Sequence, residues 1–145
     1  MTPEEIARLS AEAMWAGDRA SQALGMTLDE VGPGTATLSM TLGEDMVNGH
    51  AIGHGGLTFA LADSAFAFAC NSYNRATVAA GAKIRFRRPT RLGDRLVATA
   101  TEREREGRDG VYDVLVTVGD EVVALFRGRS KEIGGTLFDD GTPPP

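Results

Sequence analysis

The chain has 145 residues, 42% of them apolar and 24% charged, with a formal net charge of −5. That length suits one domain with a real core. The acidic balance, 20 Asp and Glu against 15 Lys and Arg, argues against bulk nucleic-acid binding. A lone cysteine, Cys70, excludes an internal disulfide and fits a reducing, cytoplasmic setting. The first residues lack a basic-then-apolar leader pattern, and no apolar run reaches membrane-spanning length. Neither nucleic acid nor membrane is therefore expected as a partner.

Thr2-Pro3-Glu4-Glu5 reads as a helix start, with Thr as N-cap, Pro in the first turn and Glu three residues after Thr. Ile6, Leu9 and Ala13 continue as an apolar stripe, and a helix or pair of short helices runs to about Ala23, ended by Gly25. Residues 26–31 and 35–42 read as strands joined by a Gly32-Pro33-Gly34 turn, and 43–54 as a loop. From Gly55 to about Ser72 the chain is small and apolar nearly all round, the mark of a covered helix. Strands follow at 77–87, 95–106, 111–118 and 121–133. In the first of these, Val78, Ala80, Ala82, Ile84 and Phe86 share one face, opposite Lys83, Arg85 and Arg87. The order is helix, two strands, one long apolar helix, four strands. An antiparallel sheet curling around the long helix would cover it. The domain is expected to span 1–134, with 135–145 a disordered tail.

Asp63 sits in the middle of the apolar helix. A buried carboxylate without a partner costs several kcal/mol or shifts its pKa. It is either a functional acid or a structural one, bonded to Ser64, a neighbouring strand or another subunit's arginine. Gly55 and Gly56 open the helix, where backbone amides lack intrahelical partners and a carbonyl oxygen can approach closely. The steric reading, a tight entrance to the helix, is the stronger one on the residues alone. Asn48-Gly49 is an ordinary turn pair, though its amide suits a carbonyl or a water. His50 and His54 have the i,i+4 spacing of metal ligands, but Gly49 and Gly53 interrupt any helix there, and no metal or other cofactor is expected. Cys70 has no histidine at a useful spacing, and Ser64 lacks a nucleophile-elbow sequence. Lys83, Arg85, Arg87, Arg88 and Arg91 make a basic run that is either a solvated face or an anchor for phosphates.

Three stretches, 14–26, 45–74 and 86–100, together resemble the hotdog-fold acyl-CoA thioesterases, above all those of phenylacetate degradation; the central one contains "NGHAIGHGGLTFALAD". The resemblance spans nearly the whole chain. It implies an α+β hotdog fold: a curled antiparallel β-sheet wrapped around a long central α-helix, with an N-terminal helix. It implies hydrolysis of acyl-CoA thioesters, in that branch (hydroxy)phenylacetyl-CoA, by homodimers with a continuous sheet that pair into a dimer of dimers. It puts Asp63 on the catalytic carboxylate, Gly55 on the oxyanion donor, and Asn48 and His54 on assisting positions. Gly56 is expected to adjoin the substrate, and Arg87, Arg88 and Arg91 to hold CoA phosphates. A non-catalytic acyl-CoA binding or sensing module on the same fold is the alternative; it would not need Asp63. Helix geometry adds a constraint. Gly55 and Asp63 are eight residues apart, ~12 Å along one helix. A single carbonyl cannot meet both in one chain, so active sites are expected to be composite, shared between two protomers.

Overall fold

The computed structural model describes residues 1–141. Helix α1 (Pro3–Gly17) begins as its sequence predicts, with the Thr2 hydroxyl accepting the Glu5 amide at 3.1 Å. Asp18 ends it and starts the short α2 (Arg19–Ala23), accepting the Ser21 amide at 3.0 Å. Strands β1 (Thr27–Gly32) and β2 (Thr35–Thr41) form a hairpin. Its turn needs Gly34 at φ +71, where a Cβ would press on Tyr73 and Glu102. A 3₁₀ turn (Glu44–Met46) leads through a loop into α3 (Gly55–Cys70). Four strands follow: β3 (Thr77–Phe86), β4 (Arg95–Glu106), β5 (Asp109–Val118) and β6 (Glu121–Glu132).

The strands form one antiparallel sheet in the order β1-β2-β4-β5-β6-β3. All six reach α3. Strands lie ~4.8 Å apart, so the outermost of six are ~24 Å apart, more than twice the width of a helix. Only a sheet curled about α3 brings every strand to it. The core is the seam between them. Leu61, Ala62, Ala65, Phe66, Phe68 and Ala69 of α3 meet Leu38, Met40, Leu96, Ala98, Val114 and Phe126 from the sheet. Alanines at alternate positions of β4 let the helix lie close. Gly128 does the same for Phe66, whose ring would stand 2.7 Å from any Cβ there.

The C-terminal end of α3 is closed by its own side chains. Asn71, only 4% exposed, donates from Nδ2 to the Ala67 and Thr77 carbonyls and accepts the Thr77 amide at Oδ1, all within 3.0 Å. The Ser72 hydroxyl accepts the Gly34 amide, and the hydroxyls of Tyr73 and Tyr112 both donate to Glu102 Oε1. Asn74, at φ 57, accepts the amides of Leu137 and Phe138 and donates to the Phe138 carbonyl.

Within the expected tail, the Asn74 side chain is hydrogen-bonded to the backbone of residues 137 and 138; residues 142–145 of that tail lie outside the described residues. The apolar face of β3 is mostly exposed, with Ile84 partly buried against the core. This strand crosses to the far edge of the sheet and pairs only with β6, its register shifts between Ala79 and Gly81, and Val78 and Phe86 stand 46% and 55% exposed.

Candidate functional site

The loop before α3 is organised by Asn48. Its Oδ1 accepts the amides of His50 and Ile52 at 2.9 and 3.2 Å, and its backbone pairs with Ile52 and Ala51. Ala51 takes φ 60 within this tight loop. Two bridges, Val47 with Gly53 and Ile52 with Arg91, tie the loop to the segment after β3. Asn48 therefore commits its side-chain oxygen to the loop, while Nδ2 has no partner among the described residues.

His54 is the N-cap of α3. Its Nδ1 accepts the Gly56 amide at 3.0 Å, which places the remaining ring proton on Nε2. This narrows the expectation for Gly56: its N–H is already engaged and cannot serve a substrate oxygen. The Gly55 N–H has no acceptor among the described residues and lies at the positive end of the helix. Gly55 must also be glycine for space, since a Cβ would come within 3.1 Å of the Phe86 ring.

Asp63 lies two turns further along, half-buried, with no hydrogen bond or ion pair among the described residues. Burial pushes its carboxyl above the ordinary carboxylate range. The structural explanations that a sequence leaves open, a bond to Ser64 or to a neighbouring strand, do not hold among the described residues. Ser64 is engaged elsewhere, its hydroxyl 2.8 Å from that of Ser21. Cys70 is buried, and its thiol is pushed up to about 12, chiefly by desolvation, so it is no nucleophile at neutral pH. Among the described residues no group of three or more His, Cys, Asp or Glu side chains converges as a metal site; His50 is an exposed loop residue.

A cleft of about 340 Å³ opens beside Gly55. Ile52, Phe86, Pro89 and Val123 give it apolar walls, Thr58 and Thr90 lie within it, and Arg87 and Arg88 stand at its rim. Arg88 Nε is 2.8 Å from Glu121 Oε2 as an ion pair without hydrogen-bond alignment, and its NH1 donates to the Pro89 carbonyl. Arg91 is exposed and lies outside the lining of the cleft, on the strand-like bridge to Ile52. The structure thus gathers Gly55, Arg87 and Arg88 at one cleft. Asp63 stays two turns away on the same helix. Phe86, Thr58, Thr90 and Val123 escape sequence reasoning. Phe86 reads there only as part of an apolar strand face, and the cleft joins three segments, 52–58, 86–90 and 123, that the sheet order brings together.

The comparisons agree with this architecture. Residues 50–125 match the family model of the thioesterase superfamily. The acyl-coenzyme A thioesterase PaaI of Escherichia coli (strain K12) is 46% identical over 129 residues, 88% of this chain and 92% of that protein. The solved structure of the E. coli PaaI protein from the phenylacetic acid degradation operon superposes with TM-score 0.91 at 43% identity, covering 93% of this chain and 99% of that one. A single-residue mutant of the phenylacetic acid degradation protein PaaI from Thermus thermophilus gives 0.78 at 34% identity, covering 80% of this chain and 100% of that one. The chain belongs to the thioesterase superfamily and has its hotdog fold.

Proposed function

We propose that this protein hydrolyses acyl-CoA thioesters, of the aryl-acetyl class, to the free acid and CoA. The observation that carries the reading is Asp63: a half-buried carboxylate, without a partner among the described residues, at the centre of an otherwise apolar helix. Such a group is poised either to take a proton from water or to attack a carbonyl directly. The unengaged Gly55 N–H, on a helix N-terminus, is the matching donor for the oxyanion that forms when the carbonyl is attacked. Collapse of that intermediate breaks the C–S bond and releases CoA as thiolate.

Eight residues at 1.5 Å each put Gly55 and Asp63 ~12 Å apart. The working site therefore takes Asp63 from one protomer and Gly55, with Asn48, from its partner. The unpaired edge of β3, with Val78 and Phe86 exposed, supports a dimer formed by extending the sheet across that edge. Dimers of dimers would then use other faces, such as the outer side of β5 where Leu115 is 45% exposed. Arg87, Arg88 and Arg91 serve the CoA phosphates, and His54 fixes the helix start.

Thiol release from a panel of acyl-CoAs tests the activity, with aryl-acetyl thioesters expected to be the best substrates; no release from any member overturns the reading. Subunit mixing tests the site. Asp63→Ala and Asn48→Ala homodimers are each impaired at both sites. A mixed dimer has one intact site and one with both lesions. Random reassortment makes about half the dimers mixed, so roughly a quarter of wild-type activity returns on co-refolding. Differently tagged chains verify the exchange. If tagged mixed dimers form and activity stays at parental level, the site lies within one chain.

A further inference from the structure

We propose that Thr58 and Thr90 are specificity-determining residues that recognise an amide of the pantetheine arm of the CoA thioester, through their two hydroxyls. This rests on the thioesterase reading and assigns one part of its substrate.

The cleft beside α3 has the oxyanion donor Gly55 and the arginines Arg87 and Arg88 on one lining. In a CoA thioester the only chemistry between the reacting carbonyl and the phosphates is the pantetheine arm, a run of methylenes interrupted by amides. The cleft has that same character. Its walls are Ile52, Phe86, Pro89 and Val123, interrupted only by two hydroxyl-bearing side chains. Thr58 is 3% and Thr90 4% exposed, and neither hydroxyl has a hydrogen-bond partner among the described residues.

That lack of partners is unusual for each. A helical threonine commonly returns its hydroxyl to the carbonyl four residues back. For Thr58 that carbonyl is His54, which already accepts the amides of Leu57 and Thr58. Thr58 is three residues after Gly55 and so shares its side of the helix. Thr90 is held against the helix start by its own carbonyl, which accepts the Gly53 amide at 2.9 Å. Its hydroxyl occupies the space a side chain at Gly53 would need. Neither hydroxyl oxygen is itself shut off from the cleft, so each is open to a ligand that enters it. A hydroxyl both donates and accepts, as a secondary amide does, so an amide entering the cleft satisfies both threonines.

The test compares three phenylacetyl thioesters: of CoA, of N-acetylcysteamine, which keeps the first amide, and of butanethiol, which has none. Thr58→Val and Thr90→Val are nearly isosteric. Each is expected to lower kcat/KM for the two amide-bearing thioesters relative to the butyl thioester by roughly five- to tenfold, the worth of one neutral hydrogen bond, mainly through KM. Thr→Ser at either position restores the ratio. Equal losses on all three thioesters, or none, overturn the assignment. So does a loss that follows a ring hydroxyl, seen as a changed preference between 4-hydroxyphenylacetyl-CoA and phenylacetyl-CoA, which would turn the threonines toward the acyl group. Calorimetry reads the same site without turnover. The valine variants should bind free CoA several-fold more weakly and adenosine 3′,5′-bisphosphate unchanged. If wild type and variants bind CoA alike, or wild type does not bind it, the threonine assignment fails. A chain that binds CoA through the threonines and hydrolyses no thioester fails only the thioesterase reading.

Discussion

The two ends of α3 are built on opposite terms. At its C-terminal end nearly every polar group has found a partner: Asn71 engages three backbone groups, Ser72 takes the Gly34 amide, and two tyrosines meet on Glu102. At its N-terminal end the Gly55 amide and the hydroxyls of Thr58 and Thr90 are unengaged, and Phe86 stands in solvent. Asp63 lies between, its carboxyl raised by burial and paired with nothing among the described residues. The contrast teaches where to look for chemistry. A closed end fixes the helix, so that the groups left open at the other end are held still for a ligand.

The largest expected effect breaks the open half. Asp63→Asn should lower kcat by at least ~10², because the base or nucleophile is lost while the shape is kept; steady-state thiol release checks it. The same variant should be more stable than wild type at neutral pH. Burial raises the Asp63 carboxyl above its ordinary 3.8, so the folded chain holds that proton more tightly than the unfolded one. The group's contribution is therefore most favourable at low pH, falls as pH rises from about 3.8 through the raised folded value, and stays lost above it. The gap in thermal midpoint between Asp63→Asn and wild type should close as pH falls below 3.8. For the same reason the acid limb of kcat/KM should lie above the ordinary aspartate range.

A second variant breaks the closed half. Asn71→Ala removes three buried hydrogen bonds and should cost about 2–3 kcal/mol of stability, read from urea unfolding. Activity per folded molecule should stay within about twofold, since Asn71 meets no part of the cleft. A large loss of kcat in the folded variant would mean that the two ends are not separable. The smallest effect sharpens the rim. Neutralising Arg87, Arg88 and Arg91 together should raise KM for acyl-CoA several-fold with little change in kcat, because phosphate contacts bind ground and transition states alike. An unmoved KM would make the run a solvated face.

Much of this is legible in the chain. Thr2 announces a helix start by local chemistry alone, and the long apolar run ending at Cys70 needs no partner to declare itself a covered helix. Asp63 stands out because charge on such a helix is expensive anywhere. The failures share one cause. Val78 and Phe86 alternate like core residues, yet β3 lies outside β6 at the sheet's edge, and strand order is a non-local property. Thr58 and Thr90 look like ordinary threonines until the sheet brings them to one cleft. Gly55 and Gly56 are indistinguishable in sequence, and only the direction of the His54 ring tells which amide is engaged.

The burial of Cys70 has a consequence for a protein whose proposed reaction liberates a thiol at every turnover. Its own sulfhydryl is held protonated and out of reach, with its proton directed at the Ala67 carbonyl. Released CoA should find no protein sulfur with which to form a mixed disulfide. A thiol-specific dye added to the native enzyme should therefore count product alone, and the protein should tolerate oxidising storage without a reductant.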